Sequence, residues 1–405
     1  MSHWRRPYRG RDFRRALTIE ELRRTARRRV PNFAFEYLEG GAEDEITLAR
    51  NRTVFGEYRF VPRALVDTAG RRITSDIFGR PSASPLVIAP TGLNGLQYPN
   101  GDLALARAAA KAGIPFTLST VSNADLDDVA AQAGGRLWMQ LYVFKDRSIA
   151  RDLVSRAAAA GYEALVLTVD AQVFGSREWD QRNFRRPGLL NLRNRLDALL
   201  HPRWLYRVMW PGGFPKFTNI WRYLPAEYRT TKGGVAYTPR LFAQDLDWRD
   251  VEWLRAAWPG ALLIKGLLDP EDVCRARDAG CDGAILSNHG GRQLDHCVAP
   301  LEMLAAARSA VGPDFTLLAD SGFRRGGDVL KALLLGADAV MIGRAVLYGL
   351  AAGGEAGAAH ALGILNGEID RVLGQLGCQT LADLSPAMIR RTIGLTPWFE
   401  AADFG

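Results

Sequence analysis

Cysteine and histidine are scarce in this chain, with four Cys and five His among 405 residues. Cys274, Cys281, Cys297 and Cys378 show no Cys-x-x-Cys spacing, and the few His stand at unsuitable distances for a closed zinc site. Neither a disulfide framework nor a metal centre is therefore expected, and reduced thiols suit a cytoplasmic protein. Long apolar runs are also missing: nothing approaches the ~20 residues of a membrane-spanning helix. The basic start His3-Trp4-Arg5-Arg6-Pro7-Tyr8-Arg9 has no apolar stretch behind it, so neither a secretory nor a twin-arginine leader is expected. Acids are in the minority, 44 Asp and Glu against 52 Lys and Arg, for a net charge of +8. That excess favours acidic small molecules or anionic surfaces. No zinc-finger, basic-zipper or RNA-stacking motif accompanies it, so no nucleic-acid partner is expected.

What is present is a rhythm. From about residue 84 to about residue 352, short apolar runs alternate with Ala-rich amphipathic segments. The runs are Leu86–Ala89, Phe116–Leu118, Leu137–Leu141, Leu165–Val169, Leu262–Lys265, Ala284–Leu286, Thr316–Ala319 and Ala339–Ile342. Ala-Gly or Leu-Gly stops (Ala112-Gly113, Ala160-Gly161, Ala279-Gly280, Leu335-Gly336) precede several of them. About eight strands with helices between them predict an α/β protein of the (β/α)8 TIM-barrel type. One domain, 1–405, is expected: an N-terminal helical cap over 18–83, the barrel over 84–352, and C-terminal helices and tail over 353–405. A long insertion, 171–248, interrupts the barrel after the fourth strand. Thr18 followed by Glu20 and Glu21 predicts the first cap helix over 18–30, and a second covers Asn32–Leu38 before Gly40-Gly41.

The strand ends carry the stronger signal. Ser287-Asn288-His289-Gly290-Gly291-Arg292-Gln293 places a base, a fixed cation and two glycines just past a strand's carboxyl end, where α/β proteins keep their chemistry. Thr91 and Gly92, Ser119, Gln140 and Tyr142, Thr168 and Asp170, Lys265, Asp320 and Arg324, and Gly343 and Arg344 stand at the same end of other strands. Solubility explains one or two such cases, not a whole rim.

These positions meet the demands of flavin mononucleotide (FMN). A phosphate asks for backbone N–H groups and cations after the seventh and eighth strands, where Asp320, Gly322, Arg324, Gly343 and Arg344 fit. The ring edge asks for donors and acceptors, offered by Gln140, Thr168 and Ser119. Lys265 suits the negative charge that a reduced flavin carries near N1. A 2-hydroxy acid asks for planar cations on its carboxylate, Arg292 and Arg177, and for a base, His289, oriented by Asp170. Tyr37 and Tyr142 offer hydroxyls to the substrate.

The motifs Glu36–Glu45, Pro90-Thr91-Gly92, Gln140–Val143, Thr168-Val169-Asp170, Lys265-Gly266, Ser287–Asp295, Asp320–Gly326 and Ile342-Gly343-Arg344 resemble those of the FMN-dependent 2-hydroxy acid dehydrogenase/oxidase family over about Thr18 to Pro386. The resemblance implies His289 as base with Asp170 its partner, Arg292 and Arg177 as carboxylate clamp, and Tyr37 and Tyr142 as substrate tyrosines. It implies FMN contacts from Thr91, Gly92, Ser119, Gln140, Thr168, Lys265, Ser287, Asp320, Gly322, Arg324, Gly343 and Arg344.

Within the family the chain is most similar to the mandelate-oxidising branch, through Pro90–Gly95, Gly101–Phe116, His201-Pro202-Arg203-Trp204 and Asp320–Arg325. The expected reaction is (S)-mandelate to benzoylformate, with L-lactate to pyruvate, or an oxidase using oxygen, as alternatives. Gly92 stands where the oxidases usually have Ala and Ser321 where they have Gly; Gly92 is read as pointing to a dehydrogenase. The insertion mixes Arg177, Arg182, Arg185, Arg186, Arg193, Arg195, Arg203 and Arg207 with Leu192, Leu196, Leu199, Leu200, Trp204, Trp210 and Trp221. That composition suits peripheral membrane contact through 189–224 on the cytoplasmic side of the inner membrane. A quinone of the respiratory chain is then the expected electron acceptor, and a homotetramer is the family habit.

Overall fold

The computed structural model describes residues 8–186, 189–210 and 213–392. The basic run before Tyr8 and the tail beyond Thr392 lie outside the described residues. Eight parallel strands close into a barrel: β1 (Leu86–Ile88), β2 (Phe116–Leu118), β3 (Leu137–Leu141), β4 (Ala164–Thr168), β5 (Ala261–Leu267), β6 (Gly283–Leu286), β7 (Thr316–Ala319) and β8 (Ala339–Ile342). They neighbour one another in chain order, and β8 closes on β1 through Val340↔Leu86 and Ile342↔Ile88.

Strands covered on both faces read as continuous apolar runs, which is why each was visible in the sequence. Val87, Trp138, Val166, Leu263, Ile285, Leu318 and Met341 fill the barrel interior, and the alternate residues pack outward against the helices. Gly113, Gly161, Gly280 and Gly336 take positive φ just past their helices, as the Ala-Gly and Leu-Gly stops require.

The N-terminal cap is not wholly helical, as 18–83 was expected to be. Helices Ile19–Arg29 and Asn32–Glu39 form, with Thr18 capping the first by accepting from Glu21 N–H. A hairpin, Ser75–Ile77 with Arg80–Ser82, then carries Ile77 and Phe78 against Trp138 at the bottom of the barrel. A strap, Tyr58–Phe60, pairs antiparallel with Ile389–Arg391. Three-residue strands like these carry too little alternation to be read from sequence. After β8, a helical stretch runs from Arg344 to Gln375 and breaks at Gly353-Gly354, close to the expected boundary at 352.

The insertion has two faces. Its outer part, with helix Leu192–Leu199, exposes Leu192, Leu196, Leu199, Leu200, Tyr206 and Trp210. Its inner part buries Trp204, Phe217, Ile220 and Leu224. Within the expected contact region 189–224, Phe217, Asn219, Ile220 and Leu224 are buried while Lys216 and Arg222 are exposed. Among the described residues no helix is long and apolar enough to cross a membrane.

Candidate active site

The loop after β6 holds His289 in an unusual conformation. His289, Gly290 and Gly291 all take left-handed φ, +57°, +68° and +72°. Such backbone persists in a non-glycine residue only where its surroundings over-determine it. Here His289 N–H donates to Ser287 Oγ (3.0 Å) and Gly290 N–H to Ser321 Oγ (3.0 Å). The Gly290 carbonyl accepts from Arg344 Nη1 (2.8 Å) and the Gly291 carbonyl from Ala42 N–H (2.8 Å).

Thus aimed, His289 Nδ1 meets Asp170 Oδ1 at 2.9 Å. Asp170 ends up below the usual carboxylate range: burial works to raise it, but the charges of His289 and Lys265 prevail. Gly266 makes room for this carboxylate, since a Cβ there would stand 2.7 Å from Asp170 Cγ, and its φ of +107° suits glycine alone.

Lys265 and Thr168 are register partners across β4 and β5. The lysine Nζ lies 2.9 Å from Asp320 Oδ2 and donates to Ser287 Oγ (2.7 Å). Burial depresses the Lys265 ammonium, yet Asp320 and Asp170 outweigh it and hold the group charged. Ser321, at φ +73°, donates to Asp320 Oδ1 (2.7 Å) while accepting from Gly290 N–H, so it links this ion pair to the His289 loop.

A cavity of about 350 Å³ opens above these strand ends. Its walls include Tyr37, Thr91, Gly92, Ser119, Tyr142, Thr168, Arg177, Lys265, His289, Arg292, Asp320, Gly322, Arg324, Gly343 and Arg344. Burial, then the Asp170 charge, pushes the Tyr142 phenol well above its ordinary range, so it stays protonated.

Arg292 donates from Nη1 to the carbonyls of Tyr37 (2.9 Å) and Gly40 (2.7 Å), and its guanidinium lies 5.1 Å from the Tyr37 ring centroid. Burial, followed by the charges of Arg177 and Arg344, pulls it down to about 9. An arginine so held gains from any anion that enters.

The structure tests FMN through what the site leaves unsatisfied. Gln140 Oε1 accepts from Ser119 Oγ (3.1 Å) and Thr120 N–H (3.1 Å), while its Nε2 is buried with no partner. Thr168 Oγ1 is likewise buried and unpartnered. Buried polar groups without partners are costly, and a ring edge with carbonyl and N–H groups satisfies both. The helical stretch from Arg344 presents its first N–H groups beside Gly343, and Arg324 lines the same end, as a phosphate requires. The residues present fit FMN.

The Arg344 side chain donates to the carbonyls of Leu38 (2.9 Å), Gly40 (2.8 Å) and Gly290 (2.8 Å), so it ties these loops together at the cavity wall. The Ser287 hydroxyl accepts from Lys265 Nζ and from His289 N–H.

Other site residues escaped the sequence reading. Phe174, Phe217, Thr238, Pro239 and Phe242, all from the insertion, line the cavity. Phe242 packs its ring 4.9 Å from Tyr142 and 4.8 Å from Phe174. Asp180 lies 3.8 Å from Arg292. Its position three residues after Arg177 was the available signal. Asn219 is fully buried and donates to Ser119 O (3.1 Å) and Ser122 Oγ (2.8 Å) while accepting from Leu126 N–H (2.7 Å).

Comparison with known proteins agrees with this geometry. The family model described as FMN-dependent dehydrogenase matches residues 26–391. The (S)-mandelate dehydrogenase of Pseudomonas putida is 47% identical over 371 residues, 91% of this chain and 93% of that protein. A putative L-lactate dehydrogenase of Mycobacterium tuberculosis is 41% identical over 386 residues, 94% and 91% of the two chains. The crystal structure of the monotopic membrane protein (S)-mandelate dehydrogenase superposes with a TM-score of 0.89 at 45% identity, covering 93% of this chain and 100% of that one.

Proposed function

The chain belongs to the FMN-dependent dehydrogenase family, and from that premise we propose that it oxidises (S)-mandelate to benzoylformate. The observation that carries this reading is one cavity uniting the His289–Asp170 pair, the Arg177 and Arg292 cations and an aromatic wall of Phe174, Phe217 and Phe242. FMN, when bound, supplies the two-electron acceptor for oxidation of the substrate's C–OH carbon.

The chain's own residues do the rest. Arg292 and Arg177 bind the carboxylate and fix the rotation of the substrate. Asp170 takes the Nδ1 proton of His289 as a hydrogen bond, which leaves Nε2 free to accept the proton released from substrate. The imidazolium so formed is stabilised by the Asp170 carboxylate. The Tyr37 and Tyr142 hydroxyls face the substrate oxygens. Gln140, Thr168, Ser119 and Lys265 hold the FMN ring, and Arg324, Gly322 and the N–H groups at Gly343 and Arg344 hold its phosphate. The aromatic wall and Val121 receive the phenyl group. Gly92, whose added Cβ would stand 3.0 Å from Val121 Cγ2, keeps that side of the cavity open and supports a dehydrogenase reading.

The exposed leucines of the outer insertion, with Tyr206, Trp210 and the exposed Arg193, Arg195, Arg203 and Arg207, support peripheral attachment to the cytoplasmic face of the inner membrane. A membrane quinone then suits the electron acceptor, and a homotetramer the assembly. The similarity to L-lactate dehydrogenases at about 40% identity favours L-lactate as the second reading.

Anaerobic addition of each acid to the FMN-loaded protein tests the choice. Rapid bleaching by (S)-mandelate alone is expected. Bleaching by L-lactate alone would keep the chemistry and overturn the substrate, and rapid peroxide production in air would overturn the dehydrogenase reading.

A further inference from the structure

Asp180 is a carboxylate that the proposed reaction does not use. It sits on the short helix Glu178–Arg182, with its side chain largely buried, and Oδ2 lies 3.8 Å from Arg292 Nη2. That separation is too long for a direct hydrogen bond and short enough for a strong field.

The surroundings are cationic. Burial raises the Asp180 carboxyl above its ordinary range, with a contribution from Glu45, against the opposing charges of Arg292, Arg177 and Arg344. The three arginines differ in what they have already engaged. Arg344 is tied to three carbonyls, and Arg292 uses Nη1 on the carbonyls of Tyr37 and Gly40. Arg292 Nη2 has Asp180 as its ion-pair partner among the described residues. An incoming carboxylate and Asp180 thus compete for the same guanidinium edge.

We propose that Asp180 is the resident counter-ion of the Arg292 clamp, weakening the clamp's hold on any carboxylate so that the 2-oxo acid product leaves readily. The inference rests on the reading of Arg292 and Arg177 as a carboxylate clamp. A negative charge a few ångströms from the binding locus costs the ligand affinity on the order of tenfold in a partly screened site. The same charge acts on substrate and product alike, so turnover gains only where release is slow.

The test is equilibrium binding of benzoylformate to the FMN-loaded wild type and Asp180→Asn, followed by flavin absorbance and by calorimetry. Asp180→Asn should bind about tenfold tighter, with a lower KM for (S)-mandelate and a kcat that falls or stays level. Asp180→Glu should bind as the wild type does. Misfolding does not tighten a ligand, so this direction is distinctive, and FMN content and Tm verify the fold. If Asp180→Asn does not fold, Asp180→Ser carries the same expectation. Unchanged or weaker binding by the neutral variants would overturn the counter-ion role and assign Asp180 to orienting Arg292. Failure of wild type to bind benzoylformate, or binding unaltered in Arg292→Ala, would instead overturn the clamp itself.

Discussion

At the scale of single residues, His289 shows what the site demands of the chain. Its left-handed backbone costs ~1–3 kcal/mol, offset by hydrogen bonds to Ser287, Ser321, Arg344 and Ala42 around the loop. His289→Ala should lower kcat/KM by at least ~100-fold, read by steady-state dye reduction; turnover close to wild type would remove His289 as base. Arg292→Ala should raise KM and lower kcat together, because a clamp both binds and orients. A change in neither would take it out of the site. Asp102 supplies a pH test. It is buried, accepts from Asn94 Nδ2 (2.7 Å) and Asn123 N–H (2.8 Å), and burial pushes it up to about 6 from 3.8. The folded state therefore binds this proton more tightly than the unfolded one, so stability contributed by Asp102 is lost as pH rises from about 4 through about 6. Relative to wild type, Asp102→Asn should gain roughly 3 kcal/mol across that window, above a constant loss from one missing acceptor. Urea unfolding at several pH values measures it, and parallel pH profiles would contradict it.

Among the elements, the insertion is where sequence and structure part. The eight strands were legible because each is short, apolar and followed by a polar side chain at the same end. His289, Arg292, Lys265 and Asp170 were legible because they sit on those ends. Phe217, Asn219 and Phe242 were not, because no periodicity relates the insertion to the barrel. Their roles arise from long-range packing alone. Asn219 pins the loop after β2, Trp204 Nε1 donates to Leu96 O (2.7 Å), and Asn123 donates to the Lys216 carbonyl (2.6 Å). The two faces should separate experimentally. Replacing Leu192, Leu196, Leu199 and Leu200 with Gln should release the protein from anionic vesicles while FMN content and kcat hold. Asn219→Ala leaves buried groups unpaired at ~1–3 kcal/mol each and should loosen FMN without changing vesicle binding. Co-sedimentation and FMN titration check both, and an Asn219→Ala protein with normal FMN affinity would count against the buttress role.

For the whole molecule, the barrel without its cofactor retains unpaired buried groups at Gln140 and Thr168 and three converging arginines. FMN should therefore stabilise it by mass action, about 2.7 kcal/mol at a free concentration one hundred times Kd, seen as a higher Tm on reloading stripped protein. An unchanged Tm would mean that FMN does not bind the folded protein. The barrel itself was legible from composition and rhythm, whereas the hairpin under it has strands too short to show alternation, and the strap joining Tyr58–Phe60 to Ile389–Arg391 depends on partners hundreds of residues apart. The Arg344 tether has a temporal consequence. On the ribosome, His289 and Arg292 emerge well before Arg344, and at ~5–20 residues per second the wait lasts seconds. Through that interval the nascent chain already contains His289 and Arg292, but the Gly290 and Leu38 carbonyls lack the Arg344 guanidinium that gathers them. Catalytic competence and closure of the last strand thus arrive together, and a chain released short of Arg344 would carry the full set of reactive side chains without working as a catalyst.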